Sequence, residues 1–283
     1  MRNLQQSENR ETIVSKRVLA ALLALTLLHA ASASTIPIEL HENLAPVLVV
    51  DIDGHAVRLQ FDLGDRTSLV LQQSALDLIK AVPTGKSAQM QGIDGVFEVP
   101  LFKVARVKIG SAVFTDVEAR LDAPRAGYQP GQIAQGYLGT GLLKSYEVVL
   151  DYPHRAFTLV ARGGEPSSES CTGTVVPFSE SSSKWSGEPV TEADIDLGHV
   201  ILWWDTGSPA TVLRKGFSQA GQHPLSGDSV ATKRLVLGGT DFGPWQFQLW
   251  DMSLPGFDGF IGHDFFAEHV VCVDFPGKRL VID

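Results

Sequence analysis

Two segments of this chain decide its fold: residues 57–71 are VRLQFDLGDRTSLVL, and residues 199–213 are HVILWWDTGSPATVL. In each segment an apolar run typical of a β-strand leads into Asp-x-Gly, and a short turn of small or polar residues leads into a second apolar run. Glycine at this place lets the backbone turn sharply and lets another segment approach closely. The two segments therefore predict one strand–loop–strand unit that is used twice.

A second pair of blocks repeats downstream in the same order. Residues 136–143 (GYLGTGLL) precede 148–153 (VVLDYP), and residues 259–266 (GFIGHDFF) precede 271–276 (VCVDFP). In both copies the second glycine of the first block lies twelve positions before the aspartate of the second block. Two blocks repeated in one order with one spacing indicate an internal duplication.

The rest of the chain is typical of short strands punctuated by Gly, Pro and Asp, which predicts an all-β barrel or sandwich. Helical signals are few. We predict one short helix over 74–81, with Ser74 as its N-cap, and a single turn at 217–220. Two hairpins are predicted at two-residue turn signals: 46–51 with 56–61 around Asp53-Gly54, and 101–109 with 112–121 around Gly110-Ser111.

The first 33 residues have the pattern of a secretory signal peptide. Basic residues precede the apolar run 18–28, and Ala31-Ser32-Ala33 follows as a small-residue cleavage site. Because a bilayer needs about 20 apolar residues, we expect cleavage rather than an uncleaved signal anchor. The polar stretch 162–170 has the composition of a linker. We therefore predict an exported chain, periplasmic or secreted, with a signal peptide (1–33), an N-terminal lobe (34–161), a linker (162–170) and a C-terminal lobe (171–283).

The net charge of the chain limits which molecules it can bind. Without residues 1–33, the chain keeps 19 basic and 30 acidic residues, a net charge of −11. Such a surface repels nucleic acid and anionic membranes, so we expect neither as a partner.

The two cysteines, Cys171 and Cys272, form either a disulfide, which export favours, or two separate buried thiols.

Two Asp-x-Gly loops brought together by a pseudo-two-fold axis would place Asp62 and Asp205 side by side. Two carboxylates that close cannot both ionise cheaply, so they share a proton and titrate as a coupled pair. One carboxylate can then act as general base on a water molecule while the other, as an acid, polarises a carbonyl group.

At these residues the sequence resembles the pepsin and retropepsin-like aspartic peptidases. Asp205-Thr-Gly-Ser208 is similar to their active-site signature, and Tyr137–Leu143 and Phe260–Phe266 are similar to the hydrophobic-hydrophobic-Gly element that packs beneath it. The resemblance spans roughly residues 40–283 and implies an all-β, bilobal monomer with retropepsin-like lobes. It implies hydrolysis of a peptide or protein substrate without cofactor or metal. The residues it assigns are Asp62 and Asp205 as catalytic, and Gly64, Thr206, Gly207 and Ser208 as shaping the loops.

The resemblance also implies a hairpin flap over the cleft. The candidate is the segment 88–97, with its tip between Gly92 and Gly95, and a shorter equivalent is expected in the second lobe near 236–245.

The first loop departs from the family pattern, because it reads Asp62-Leu63-Gly64-Asp65. Leu63 has no hydroxyl for the cross-loop hydrogen bond that a threonine makes, so the loops would interlock from one side only. Asp65 adds a third carboxylate, which would raise the pKa of the pair or hold a cation. These departures support an alternative, a non-catalytic scaffold that binds peptides or proteins.

Other kinds of site are not supported by the sequence. His263 and His269 lack a standard metal-ligand spacing, and no Gly-x-Ser-x-Gly elbow of a serine hydrolase occurs. An unrelated ligand-binding β-barrel would leave the duplication unexplained.

Overall fold

The computed structural model of the chain describes residues 33–41, 45–92, 95–124, 131–161, 171–180, 188–217, 227–252 and 256–283. Within this part the chain is nearly all β-structure. The predicted signal peptide (apart from residue 33), the linker 162–170 and most of the predicted turn at 217–220 lie outside the described residues, so the domain boundaries stay predictions. No helix among the described residues is long and apolar enough to cross a bilayer.

The described residues of the first half of the chain form ten strands, one helix and a 3₁₀ turn. The helix α1 is Gln73–Leu78, and the 3₁₀ turn is Thr140–Leu142. The strands are β1 (Ser34–Glu39), β2 (Val47–Ile52), β3 (His55–Phe61), β4 (Leu69–Gln72), β5 (Val82–Gly92), β6 (Gly95–Ile109), β7 (Ala112–Asp122), β8 (Gly136–Leu138), β9 (Tyr146–Asp151) and β10 (Ala156–Ala161).

Where the structure describes the second half of the chain, it forms twelve strands and one helix, α2, at His263–Glu268. The strands are β11 (Thr174–Pro177), β12 (Ser179–Glu180), β13 (Pro189–Ile195), β14 (Gly198–Trp204), β15 (Val212–Arg214), β16 (Ser229–Thr232), β17 (Leu235–Leu237), β18 (Thr240–Asp241), β19 (Trp245–Trp250), β20 (Gly259–Ile261), β21 (Val270–Asp274) and β22 (Arg279–Ile282).

The first lobe is a closed barrel of six strands in the order β2-β3-β8-β4-β7-β6, with β6 pairing back onto β2. Both predicted hairpins are confirmed by the antiparallel pairs β2–β3 and β6–β7. Asp53 and Gly54 have φ of 50° and 84°, the left-handed conformation that a tight two-residue hairpin turn requires. The turn residues thus fix the register that closes the barrel.

The second lobe is an open half-barrel sheet in the order β16-β19-β15-β20-β14-β13-β17-β18. Its central strand β14 alternates in burial, so Trp204 faces the core and is fully buried while Trp203 faces the opposite side of the sheet. Trp204 packs edge-on against Phe265 and Phe266 of α2. This aromatic group holds the strand that leads into Asp205.

The two lobes share a sheet in the order β11-β22-β21-β9-β10-β1. Strand β9 of the first half pairs antiparallel with β21 of the second half, and Val149 lies opposite Cys272. These are matching positions of the duplicated blocks, and their neighbours pair reciprocally, Val148 with Val273 and Leu150 with Val271. The pseudo-two-fold axis therefore passes between Val149 and Cys272.

A disulfide joins Cys171 to Cys272 with a Cα–Cα distance of 6.2 Å. Cys171 precedes β11, and Cys272 lies buried in the centre of β21. The bond therefore fastens the start of the second lobe's chain to the sheet that both lobes share.

The helices differ from the sequence prediction. Helix α1 begins one residue before Ser74 and ends at Leu78, and the residue at its N-cap, Gln72, makes no side-chain cap. The structure corrects the predicted cap because α1 continues directly from β4, so that strand sets where the helix begins. Helix α2, at His263–Glu268, was not predicted, since six residues inside an apolar block carry too little periodicity to be recognised.

Candidate active site

The two aspartates occupy matching places in the two lobes. Asp62 follows β3, which runs parallel to β8, and Asp205 follows β14, which runs parallel to β20. The Asp62 backbone N–H donates to the Leu138 carbonyl at 2.9 Å, and the Asp205 N–H donates to the Ile261 carbonyl at 3.0 Å. Each aspartate is thus held at a strand end by the downstream block of its own repeat.

The loops that follow have the same hydrogen bonds. We call residues 62–65 the first aspartate loop and residues 205–208 the second. In each loop the last residue, Asp65 or Ser208, donates its N–H to the carbonyl of the aspartate at 3.2 Å. The carbonyls of Asp65 and Ser208 then accept from the N–H of Thr140 (2.7 Å) and His263 (2.9 Å). The duplication seen in the sequence is therefore a duplication of loop geometry.

The two carboxyl groups lie close together across the lobe interface and interact strongly with each other. Each also accepts from its own loop: Asp62 Oδ1 from the Gly64 N–H at 2.9 Å, and Asp205 Oδ1 from the Gly207 N–H at 2.8 Å and the Ser208 N–H at 3.2 Å. Two carboxyl groups this close cannot both ionise cheaply, so the pair favours one shared proton.

The electrostatics favour that shared proton. Burial raises the pKa of Asp62 well above its usual value, and the negative charges of Asp205 and Asp65 raise it further. Burial also raises the pKa of Asp205, but hydrogen bonds from Gly207, Asp62 and Ser208 oppose the rise. The pKa of both carboxyl groups is raised, which favours one proton shared by the pair.

The glycines of the two loops allow the carboxyl groups to meet. A Cβ at Gly64 would lie 2.6 Å from Oδ1 of Asp205, closer than real Cβ contacts. A Cβ at Gly207 would lie 3.1 Å from oxygens of both Asp62 and Asp205. Any side chain at these positions would push into the pair.

The two loops interlock from one side, as Leu63 predicts. Thr206 is fully buried, and its Oγ1 accepts from the Leu63 N–H at 2.9 Å while donating to the Phe61 carbonyl at 2.8 Å. Leu63 is also fully buried, but it fills the matching place with a hydrocarbon side chain. Hydrophobic packing thus replaces the second cross-loop hydrogen bond.

Asp65 lies beside the pair and does not replace either aspartate. The residue is half-buried, and its Oδ1 accepts from the Thr67 N–H at 2.7 Å. Burial raises the pKa of its carboxyl group, whereas the hydrogen bonds from Thr67 and the charges of Arg120 and Arg66 lower it.

The predicted flap corresponds to the long hairpin formed by β5 and β6. Their backbones pair up to Gly92 opposite Gly95, and residues 93–94 at the tip lie outside the described residues. The hairpin expected as its counterpart, β17–β18, has a different place. Strand β17 pairs with β13 as β6 pairs with β2, so its turn matches Gly110-Ser111 instead of the flap. The sequence did not reveal this difference, because the number of residues between two strands does not show which neighbouring strands they pair with.

Tyr152 is a residue near the site that the sequence did not identify. Its ring, 2% exposed, lies 5.6 Å from those of His263 and Phe266, which belong to the second lobe. Its hydroxyl group is buried without a hydrogen-bond partner among the described residues. Burial raises the pKa of Tyr152 well above its usual value, and the charges of Asp62 and Asp205 add to the effect. In the sequence it is only the aromatic residue of an Asp-Tyr-Pro turn.

The described residues hold no cluster of His, Cys, Asp and Glu arranged to bind a metal ion. The rings of His263 and His269 instead contact aromatic neighbours, Tyr152 for the first and Phe242 and Phe265 for the second.

Comparisons with known proteins agree with this geometry. The model of the aspartyl protease family matches residues 48–142, which include the first aspartate loop and the block that contacts it. The crystal structure of aspartic proteinase from Irpex lacteus matches with a TM-score of 0.59 at 13% identity, over 89% of this chain and 97% of that chain. At this identity the likeness shows the fold. No curated protein sequence matches the chain.

The fold and the paired loops define the class: this is a bilobal, nearly all-β protein with the aspartic-peptidase fold. The resemblance to the aspartic peptidase family that the sequence predicts is confirmed by the match of the first lobe to the aspartyl proteases and by the fold of the whole described chain.

Proposed function

We propose that this chain is an aspartic endopeptidase that hydrolyses peptide bonds with water activated between Asp62 and Asp205. The observation that carries the proposal is the close, buried pair of carboxyl groups in two loops with matched hydrogen bonds. The family match and the fold support the same class of hydrolase.

The proton on the pair gives the two carboxyl groups different roles. In the proposed step Asp205 acts as the carboxylate and takes a proton from a water molecule, while Asp62 acts as the acid and donates its proton to the carbonyl oxygen of the scissile peptide. Water attacks the carbonyl carbon to give a tetrahedral diol. The C–N bond then breaks as Asp205 gives its proton to the leaving amine and a diol hydroxyl group returns a proton to Asp62, which yields a carboxylic acid and an amine and restores the starting state of the pair. No covalent intermediate and no cofactor take part.

An extended peptide would lie across the cleft between the lobes, beneath the β5–β6 hairpin. Strand β5 is the last strand of its sheet, so one edge of this hairpin has no neighbouring strand in the described sheet. An extended segment can bind such an edge through its main chain, which suits substrates of varied sequence.

The alternative, a non-catalytic scaffold for peptides or proteins, rests on Leu63 and Asp65. It gains support if Asp62 points away from Asp205 or if Asp65 takes its place. In this structure the carboxyl groups of Asp62 and Asp205 lie close together, and Asp65 accepts from the Thr67 N–H. These contacts favour the enzyme.

We also propose that the protein is exported to the periplasm or secreted and acts as a monomer on peptide or protein substrates. The Cys171–Cys272 disulfide supports export, since such bonds persist in oxidising compartments. The acidic surface argues against nucleic acid and anionic membranes as partners.

The test is cleavage of a mixed peptide library by the full chain from about pH 3 to pH 8. We expect wild type to cleave, a statine-type transition-state mimic to block it, and Asp205→Asn to abolish it. Asp116→Asn is the matched control, because Asp116 is exposed on β7 and asparagine tolerates its φ of 56°. Absence of cleavage from a folded protein at every pH, or cleavage retained by Asp205→Asn, would refute the mechanism; the first result would favour the scaffold.

A further inference from the structure

The two aspartate loops differ in charge at one matching position. Asp65 and Ser208 each follow their aspartate by three residues and make the same backbone hydrogen bonds. The Ser208 side chain is neutral and donates to the Ala210 carbonyl at 2.8 Å, whereas the Asp65 side chain is a carboxyl group that accepts from Thr67. One loop thus carries a second acid one turn from its aspartate, and the other does not.

The groups around Asp65 determine whether it is charged. Asp62 lies in its own loop and Asp205 in the opposite loop, and both disfavour its ionised form. Arg66, next in sequence, and Arg120, on β7, favour the ionised form. The 3₁₀ turn that packs on this loop contributes the Thr140 N–H and hydroxyl group to the Asp65 main-chain carbonyl but no ionisable side chain. Burial raises the pKa of Asp65, and the Thr67 N–H and the two arginines act in the opposite direction, toward a carboxylate beside the pair.

We propose that Asp65 is a positioning residue whose negative charge keeps the shared proton on Asp62 and Asp205 at pH values where the pair alone would lose it. The position is set by the hydrogen-bonded turn between the Asp62 carbonyl and the Asp65 N–H, and the half-buried setting limits screening by solvent.

The proposal predicts the direction in which Asp65 shifts the pH profile of activity. The pair works with one proton, and the loss of that proton sets the alkaline limb of the pH profile. A neighbouring negative charge makes a second negative charge on the pair less favourable, so the limb lies at higher pH. At low pH Asp65 is itself protonated, so the acid limb depends on it less.

The inference rests on the proposed function for its kinetic test. The value of kcat/KM of the full chain would be measured from about pH 3 to pH 8 on a peptide that wild type cleaves. Asp65→Asn keeps the shape of the side chain and the acceptor for Thr67, and Asp65→Ser copies the second loop. Both variants should lose activity several-fold on the alkaline side and keep it on the acid side, while Asp116→Asn should follow wild type.

A fall in activity that is uniform across pH would mark a purely structural role and overturn the proposal. The proposal would also be overturned if the alkaline limb of the two Asp65 variants lay at the same pH as that of wild type. If wild type cleaves nothing, the proposed function fails, and the present inference is tested separately by following the aspartate carboxyl carbons with ¹³C NMR. The pair should then titrate at lower pH in Asp65→Asn than in wild type, and an unchanged titration would refute the role of Asp65.

Discussion

Thr206 and Leu63 occupy matching positions of the two aspartate loops and meet across the lobe interface, but only the Thr206 side chain makes hydrogen bonds there. The Thr206 hydroxyl group accepts from the Leu63 N–H and donates to the Phe61 carbonyl, while the Leu63 side chain is buried hydrocarbon. One hydroxyl group therefore provides both side-chain hydrogen bonds that fasten the second loop to the first. The alignment of Asp62 with Asp205 depends on it.

Replacing Thr206 by Val should lower the free energy of unfolding by about 2–4 kcal/mol, because two buried backbone groups lose a partner. The value of kcat/KM should fall too, since the loops lose their fixed spacing, whereas Thr206→Ser should keep both. The matched control is Thr191→Val, which removes the equally buried acceptor of the Trp204 Nε1–H at 3.0 Å. Chemical denaturation and peptide cleavage measure the two effects. Equal effects of Thr206→Val and Thr191→Val on cleavage would argue against a special role of the cross-loop bonds.

Replacing Gly64 by Ala should leave the chain folded but displace the Asp205 carboxyl group from the position where it meets Asp62. We expect kcat/KM to fall by about 10²-fold, the usual order of magnitude for an ångström of misplacement. Gly207→Ala should do less damage, because its Cβ would lie 3.1 Å from the nearest oxygen, against 2.6 Å at Gly64. Gly54→Ala, which meets nothing within 4 Å, is the control for a glycine far from the site. A larger loss of kcat/KM in Gly207→Ala than in Gly64→Ala would show that contact between the added Cβ and the carboxyl groups does not determine the effect.

The stability of wild type relative to Asp62→Asn should change with pH. Burial, and then the charges of Asp205 and Asp65, raise the pKa of Asp62 in the folded state. A group whose folded pKa is raised contributes stability that is complete below its unfolded pKa of about 4 and is lost as pH rises through the folded value. Asp62→Asn should therefore gain stability relative to wild type between about pH 4 and pH 7. Urea denaturation at several pH values, with Asp116→Asn as the control, measures the difference; a difference independent of pH would contradict the raised pKa.

Removal of the disulfide in the double variant Cys171→Ser, Cys272→Ser should lower the free energy of unfolding by about 2–4 kcal/mol. The bond joins residues separated by 101 positions, so its loss frees a long loop of the unfolded chain. Denaturation with and without a reductant is the measurement. Reductant should destabilise wild type and have no effect on the variant, and an equal response of the two proteins would show that the bond does not stabilise the fold.

The sequence by itself determined the duplication, the two Asp-x-Gly loops and the hairpins. These features are local: Asp53-Gly54 sets its turn through the backbone conformations it permits, and Asp62 and Asp205 each lie at a strand end that neighbouring apolar residues define. The order and spacing of the repeated blocks then placed the two loops in equivalent positions. Such features can be predicted from the sequence because the interactions that determine them are made between residues close together in the chain.

Only the tertiary structure decided the contacts between the lobes other than the meeting of the two aspartates. The position of Tyr152 against the second lobe depends on contacts between residues more than 100 positions apart. The start of α1, set by β4 instead of by Ser74, likewise depends on how the chain packs. The pairing of Val149 with Cys272 fixes the axis that relates the lobes, and no neighbouring residue encodes it. Such contacts arise from the burial of two apolar surfaces against each other, which a pattern in one segment does not contain.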